Sequence, residues 1–240
     1  MTDSACPSQS SSSQSSPPPL KLFVGLPMSD GWLHWRLVEM LFQIANDPRC
    51  EKQFCFSIRK PCENNRNLLV KKFLEGDCDW LLQIDDDNPP VRNPVDLLFM
   101  GKDVIACPTP IWQQEDSMGQ PMKHPLHWGT YYESGVRGLV QCKAVSSGCI
   151  LVHRRVAKAI PAPFLCDWLQ DGTVQRGTDI AFCRRAALEG YELWAHYDYP
   201  CRHIKEVDLL EVVNYLDVLM AEKITNGTIS DPLVDSARSA

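Results

Sequence analysis

The chain has 240 residues, of which 44% are hydrophobic and 22% charged, and this is enough apolar material for one catalytic domain with a sizeable core. Its formal net charge of −6 excludes a general basic surface, so charge alone predicts no non-specific binding to nucleic acid or anionic membranes. The cysteines number eleven and include no CxxC pair, which indicates reduced thiols and a cytoplasmic compartment rather than a disulfide framework.

The first residues, 1–19, form a tract rich in Ser, Gln and Pro that cannot bury apolar surface. We expect a disordered tail without a secretion signal, because it lacks a positively charged start followed by an apolar run. No other stretch approaches the roughly 20 apolar residues that span a bilayer. The sequence therefore predicts no membrane anchor and a folded part that begins at Leu20.

Strands and helices alternate in the first half of the chain. Apolar runs predict strands at 20–26, 54–58, 80–84 and 103–107. The helix after the first strand is predicted from apolar residues at three- and four-residue spacing, Trp32, Trp35, Val38 and Phe42. That spacing assigns Trp32 and Trp35 to the core. Asn64 or Asn65 caps the next helix, and Asn93 followed by Pro94 begins a short helix through Met100. The alternation predicts an α/β fold with a mainly parallel sheet.

The second half opens with an irregular segment, residues 108–143. Its aromatic residues, which include Trp112, Trp128, Tyr131 and Tyr132, favour a functional loop over a disordered one. His124, His127 and Trp128 suit a sugar or planar acceptor, with ordinary loop packing as the alternative. The later elements are a strand at 149–152, helices at 155–160 and 178–190, a strand at 192–197 and a helix at 207–221. We expect a catalytic domain at 20–205, and at 206–240 a C-terminal helix and polar tail that offer a surface for homo-oligomers.

Three adjacent carboxylates, Asp85, Asp86 and Asp87, follow the strand predicted at 80–84. Pro89 and Pro90 prevent this strand from continuing. Ligands of open α/β sheets bind at the carboxyl ends of strands, and neighbouring carboxylates repel one another unless a cation neutralises them. The cluster therefore predicts a site for Mg²⁺ or Mn²⁺ that also holds substrate phosphates, with a solvated acidic turn as the alternative. An EF-hand is excluded, because Pro90 stands where its loop needs glycine.

Several motifs follow one another in a set order. They are a strand ending at Pro27, Arg66-Asn67 opening a helix, Asp79-Trp80-Leu81-Leu82-Gln83-Ile84-Asp85-Asp86-Asp87, Ser147-Gly148-Cys149-Ile150-Leu151-Val152 and Thr178-Asp179-Ile180-Ala181-Phe182-Cys183. Their order and spacing over residues 20–205 resemble the GT-A class of nucleotide-sugar glycosyltransferases. The resemblance implies a GT-A, Rossmann-like single domain with a mainly parallel central sheet and flanking helices. Thr178 departs from the acidic residue usual at its position in that class.

The resemblance also implies a metal site. Asp85 and Asp87 would form the DxD motif of the class, and His203 lies where a later histidine often joins that motif on the metal. Cys201, two positions before His203, raises the alternative of a zinc pair. No second pair stands at zinc spacing, which argues against a soft-metal site.

Donor and acceptor roles follow from the same resemblance. Pro27, Arg66, Asp86 and Gly148 are implied to bind the nucleotide sugar, with Asp86 on ribose or sugar hydroxyls and Arg66 on the base or diphosphate. A solvated helix residue is the alternative for Arg66. Asp179 is implied to contact an acceptor hydroxyl or to act as general base, with helix capping as the alternative.

The function implied is transfer of a sugar from a UDP-sugar, with Mn²⁺ or Mg²⁺ offsetting charge on the departing diphosphate. The acceptor stays open among a saccharide, a lipid-linked glycan, a protein side chain and a hydroxymethylated DNA base of the phage type. The absence of an anchor argues against the lipid, and the negative charge argues against DNA. A sugar-phosphate nucleotidyltransferase is a second hypothesis, although residues 26–31 lack its Gly-rich basic loop. A non-catalytic metal- or carbohydrate-binding module is a third.

Overall fold

The computed structural model describes residues 19–113, 115, 120, 122, 125–130 and 137–225. The chain divides into two compact units, Met1–His203 and Ile204–Ala240. Some sequence predictions lie outside the described residues: the tail through residue 18, the loop residues His124, Tyr131 and Tyr132, and the polar tail from residue 226.

The described elements follow one another in a regular alternation at first and in short strands later. In chain order they are β1 (Leu20–Pro27), α1 (Trp35–Ala45), β2 (Cys50–Ser57), α2 (Cys62–Glu75), β3 (Trp80–Ile84), a 3₁₀ helix (Pro94–Phe99), β4 (Val104–Ala106), β5 (Pro110–Trp112), β6 (Leu126–Trp128), β7 (Leu139–Cys142), β8 (Cys149–His153), α3 (Arg154–Ala159), β9 (Asp167–Trp168), β10 (Val174–Arg176), α4 (Thr178–Leu188), β11 (Leu193–His196) and α5 (Leu209–Thr225).

A seven-stranded sheet organises the first unit, in the order β2-β1-β3-β8-β4-β11-β7. β1 runs parallel to β2 and β3, and β4 runs parallel to β11. β8 is antiparallel to both β3 and β4, and β7 is antiparallel to β11. Five of these seven strands therefore share one direction, which confirms the predicted α/β fold with a mainly parallel sheet. Because β8 is reversed, its first residue, Cys149, lies beside Ile84 at the carboxyl end of β3.

Successive side chains of β1 point to opposite faces of the sheet, and helices cover both faces. Leu22, Val24 and Leu26 belong to the core that α1 and the 3₁₀ helix cover. Phe23 belongs to the core on the other face, with residues of α2, α3 and α4. The predicted flanking helices are confirmed, and the strand at 80–84 has the predicted bounds. Asn93 caps the 3₁₀ helix by accepting a hydrogen bond from the Val95 N–H, as its sequence position predicts.

The two tryptophans assigned to the core are exposed, and that prediction was wrong. Trp32 is 80% exposed and Trp35 is 55% exposed. Trp32 precedes the helix, which begins at Trp35, and the buried residues of α1 are Leu37, Met40 and Ile44. At 3.6 residues per turn, Trp35 lies on the opposite side of the helix from Leu37.

The segment predicted to be irregular contains short strands. β5 and β6 form a separate antiparallel pair within it, and β7 joins the edge of the main sheet. Strands of three or four residues are too short for apolar alternation to predict them.

The second unit contains α5, which spans residues within the predicted C-terminal segment. Several of its apolar residues are exposed, among them Leu209, Leu210, Val213 and Leu216. None of the helices in the described part of the chain is long and apolar enough to cross a membrane.

Candidate active site

The acidic cluster and the Gly148 turn meet at the carboxyl edge of the sheet. β3 ends at Ile84, and the Asp85 N–H donates to the Gly148 carbonyl oxygen at 2.8 Å. The antiparallel insertion of β8 makes this contact, because it brings the residue that precedes the strand to the end of β3. The acidic cluster therefore follows the carboxyl end of β3, at the edge where open α/β sheets usually bind ligands.

A buried arginine holds the first carboxylate of the cluster. The side chain of Arg66, in α2, is 4% exposed, and its Nη2 donates to Asp85 Oδ2 at 2.6 Å. Its Nη1 donates to the Ser147 carbonyl oxygen at 3.1 Å. Gln83 Nε2 donates back to the carbonyl oxygen of Arg66 at 3.1 Å. The alternative of a solvated helix residue was therefore wrong for Arg66, which joins α2, the end of β3 and the turn before β8.

The charges of this network do not cancel. Burial, helped by the charges of Asp179 and Asp87, raises the pKa of Asp85 to about 7 against the lowering effect of Arg66. Burial lowers the pKa of Arg66, but Asp85 and Asp179 outweigh burial and hold the pKa above its ordinary value. One guanidinium thus faces several carboxylates, and a cation would relieve the repulsion among them.

Asp179 lies in the first turn of α4 and is oriented by the turn before β8. The Ser147 N–H donates to Asp179 Oδ2 at 3.0 Å, and the Ser147 hydroxyl donates to Oδ1. The Thr178 hydroxyl donates to Oδ1 at 2.9 Å. Thr178 stands where the sequence resemblance predicts an acidic residue, and its hydroxyl still donates a hydrogen bond that supports Asp179.

Asp87 and His203 face each other across the site. His203 Nδ1 lies 2.7 Å from the carbonyl oxygen of Pro110. A carbonyl only accepts hydrogen bonds, so this partner places a proton on Nδ1, and in the neutral imidazole the lone pair is then on Nε2. That Nε2 lies 3.6 Å from Asp87 Oδ2. The Asn88 side chain donates to Asp87 Oδ1, while the buried Asn88 Oδ1 has no hydrogen-bond partner among the residues that the structure describes.

The three residues predicted to bind the metal are not equally placed. Asp87 and His203 face each other, whereas Asp85 Oδ2 is engaged by Arg66. Within the described ranges, the one group of three His, Cys, Asp or Glu ligand atoms mutually within 4.8 Å consists of cysteines, so Asp85, Asp87 and His203 do not converge that closely.

Asp86 fastens the segment after β1 to the cluster. Its Oδ2 accepts hydrogen bonds from the Ser29 N–H at 2.6 Å and from the Ser29 hydroxyl at 2.7 Å. Pro27, the last residue of β1, is buried, and the next residue, Met28, donates its N–H to the Ser57 carbonyl oxygen at 2.9 Å. Ser29, two residues after Pro27, thus links the segment that follows β1 to Asp86.

Gly148 has no room for a side chain. A Cβ there would lie 2.7 Å from Asn88 Oδ1 and 2.9 Å from Thr109 Oγ1.

Sequence reasoning missed Asn88, although it directly follows the acidic cluster. It also missed the contact between Ser29 and Asp86, for which the sequence carries no signal. Of the predicted loop residues, Trp128 packs edge-on against Tyr197 with 6.1 Å between ring centroids, in keeping with ordinary loop packing.

Comparison with known proteins identifies the fold. No protein-family model matches the chain, and a search of curated proteins finds no match. Among solved structures, A197 from STIV is similar with a TM-score of 0.51 and 19% identity, over 78% of this chain and 86% of that chain.

Two glycosyltransferase structures also match. A Drosophila β-1,4-galactosyltransferase 7 mutant in complex with manganese, UDP-Gal and xylobiose matches with a TM-score of 0.44 and 14% identity, over 78% of this chain and 71% of that chain. A glycosyltransferase involved in the glycosylation of the major capsid of PBCV-1 matches with a TM-score of 0.33 and 8% identity, over 58% of this chain and 63% of that chain. Identities this low concern the fold alone. The strand order itself confirms the predicted α/β fold with a mainly parallel central sheet and flanking helices.

Proposed function

We propose that this protein is a metal-dependent glycosyltransferase, which moves a sugar from a UDP-sugar to an acceptor hydroxyl. The observation that carries the proposal is the Asp87–His203 pair. A carboxylate oxygen and an imidazole nitrogen lie 3.6 Å apart at the carboxyl edge of the sheet. Two such acceptors repel each other unless a proton or a cation lies between them.

Three observations support a cation. His203 donates its other ring N–H to the Pro110 carbonyl, as metal-binding histidines usually do. Burial, together with the nearby charges of Asp179 and Asp87, raises the pKa of Asp85, and among the described residues the buried Asn88 Oδ1 beside Asp87 has no hydrogen-bond partner. The donor set mixes oxygen and nitrogen, which favours Mn²⁺ over Mg²⁺, because Mg²⁺ takes oxygen ligands.

The donor half of the proposal uses the residues around this pair. A bound Mn²⁺ or Mg²⁺ supplies positive charge that stabilises a departing diphosphate. Asp87 and His203 hold the cation, and Asp85 contributes its charge while Arg66 fixes its position. Asp86 accepts from ribose or sugar hydroxyls beside Ser29. Pro27, Arg66 and Gly148 shape the donor pocket, where the missing side chain of Gly148 lets Asn88 and Thr109 lie close to its backbone.

Asp179 serves the acceptor in this proposal. The hydrogen bonds that Ser147 and Thr178 donate to its two carboxylate oxygens fix the orientation of Asp179. As general base it takes the proton of the acceptor hydroxyl while that oxygen bonds to the sugar carbon, whose bond to the diphosphate oxygen breaks. The proton ends on Asp179 and the electron pair on the departing diphosphate.

The acceptor class proposed is a hydroxyl of a saccharide, a protein side chain or a hydroxymethylated DNA base. The cysteines of the described residues are free thiols, which supports a reducing, cytoplasmic compartment. The exposed apolar residues of α5 support a homo-oligomer through this helix.

The first test compares His203→Ala with Asp179→Asn. Loss of the imidazole should raise the Mn²⁺ requirement and the donor KM, and excess Mn²⁺ should partly restore turnover. Asp179→Asn should lower kcat for transfer while calorimetric UDP–Mn²⁺ binding stays close to wild type. Loss of UDP–Mn²⁺ binding in Asp179→Asn, with normal binding in His203→Ala, would overturn both assignments.

The second test follows the products and the metal. With EDTA, wild-type turnover of UDP-sugar should stop, and Mn²⁺ should restore it, whereas Asp87→Ala should stay inactive in both conditions. Release of UDP identifies sugar transfer or donor hydrolysis. Release of pyrophosphate from UTP and a sugar phosphate would instead identify a nucleotidyltransferase, and UDP-sugar binding without any turnover would identify a binding module.

A further inference from the structure

Three cysteine side chains converge beneath the candidate active site. The sulfur atoms of Cys107, Cys149 and Cys201 all lie within 4.8 Å of one another. These residues are 0%, 0% and 4% exposed, respectively. In the part of the chain that the structure describes, no other three His, Cys, Asp or Glu side chains come this close together.

The backbone brings the three thiols together. Cys107 follows β4 directly, and its N–H donates to the carbonyl oxygen of Cys149, the first residue of β8, at 2.8 Å. The Cys201 N–H donates to the Pro108 carbonyl oxygen at 2.8 Å, and Cys201 also forms an antiparallel bridge with Pro90. These main-chain contacts hold the three cysteines close together even when no ligand is bound, so the cluster is preorganised.

A buried cysteine on its own behaves as a small apolar residue. Cys50 and Cys183 fit that description, because each is buried and neither belongs to a cluster of three ligands among the described residues. The convergent cysteines differ in geometry: three sulfurs bound to one zinc ion at about 2.3 Å lie about 4 Å apart. The three sulfur atoms already lie within 4.8 Å of one another, so zinc binding would require only a small inward movement of the side chains.

We propose that Cys107, Cys149 and Cys201 form a second metal centre, which binds Zn²⁺ as three thiolates. Thiolates select soft cations such as Zn²⁺ and Cu(I) over Mg²⁺ and Mn²⁺. A divalent cation leaves one net negative charge on three thiolates and a monovalent cation leaves two, so this apolar setting favours Zn²⁺. Each thiol that binds gives its proton to solvent.

This centre would crosslink three segments that contribute residues to the candidate active site. Cys149 follows Gly148, Cys107 lies shortly before Pro110, and Cys201 lies shortly before His203. The Pro110 carbonyl orients His203. Bound Zn²⁺ would therefore stabilise the segments that position the imidazole, while the sulfur ligands themselves stay in the core.

The test uses full-length protein carrying Asp87→Ala, which removes a ligand of the other metal site, after reduction and removal of metal. The probe is Cd²⁺, because Cd²⁺–thiolate bonds absorb in the ultraviolet and bonds to carboxylate or imidazole do not. We expect one equivalent to bind with a thiolate band that stoichiometric Zn²⁺ removes. Cys149→Ala should weaken Cd²⁺ binding at least about tenfold. The matched control Cys50→Ala, which also removes a buried thiol, should keep the full band.

Melting curves provide the second readout. Zn²⁺ should raise the melting temperature of the Cys50→Ala control and leave that of Cys149→Ala unchanged. If Cys149→Ala does not fold, Cys201→Ser keeps the size of the side chain and should show the same losses. A fully reduced protein without a thiolate band, an equal loss in Cys50→Ala, or a disulfide between two of the three thiols would each overturn the proposal. None of these outcomes depends on sugar transfer.

Discussion

Replacing Arg66 with methionine removes the guanidinium that holds Asp85 and keeps most of the buried aliphatic volume. The side chain of Arg66 is 4% exposed and that of Asp85 is 21% exposed, so solvent replaces little of the lost ion pair. Removing one partner of a buried pair costs about 3–5 kcal/mol, because the other charge stays without compensation. We therefore expect Arg66→Met to lower the free energy of unfolding by about 3–5 kcal/mol, measured by urea denaturation in EDTA.

The loss should grow with pH. The folded state raises the pKa of Asp85 from 3.8 to about 7, so wild-type stability falls as the pH rises between these values and then levels off. Arg66 lowers this pKa, and its removal should move the value higher still. Stability of the variant should therefore keep falling above pH 7, by up to about 1.4 kcal/mol per pH unit.

Unfolding at about pH 6 and about pH 8.5 in the same buffer series checks this reasoning. The matched control is Arg155→Met, because Arg155 is 64% exposed where it pairs with Asp103. That variant should change stability far less, because a solvated ion pair contributes little. Equal losses in the two arginine variants, or a loss for Arg66→Met that shrinks as the pH rises, would refute the network of charges described above.

Two further substitutions probe how closely the site is packed. Gly148→Ala places a Cβ 2.7 Å from Asn88 Oδ1. We expect this substitution to destabilise the fold by about 1–3 kcal/mol in urea denaturation and to reduce donor turnover. The control Gly76→Ala, whose Cβ has its nearest contact at 3.6 Å, should have neither effect. Ser29→Ala removes the 2.7 Å hydrogen bond to Asp86 and should raise the donor KM several-fold with kcat nearly unchanged. An unchanged donor KM would show that Asp86 does not take part in donor binding.

The sequence alone predicted the α/β class, the alternation of its first elements and the position of the acidic cluster. These features depend on local patterns: an apolar run specifies the strand at 80–84, and the two prolines that follow the cluster end it. The side of α1 that faces the core was predicted incorrectly, because the tryptophans also stand at helical spacing. Only the tertiary structure shows that Leu37, Met40 and Ile44 are the buried residues.

The contacts that make the site depend on the tertiary structure. Strand order decides them: the reversed β8 lies between β3 and β4 and brings Gly148 and Cys149 to the end of β3. Spacing in the sequence cannot report such a neighbour, because a side chain can meet any segment that the sheet places beside it. For the same reason, spacing in the sequence did not reveal that Cys201 lies beside Cys107 and Cys149. The sequence determined which residues carry reactive groups, and the order of strands decided which of those groups meet.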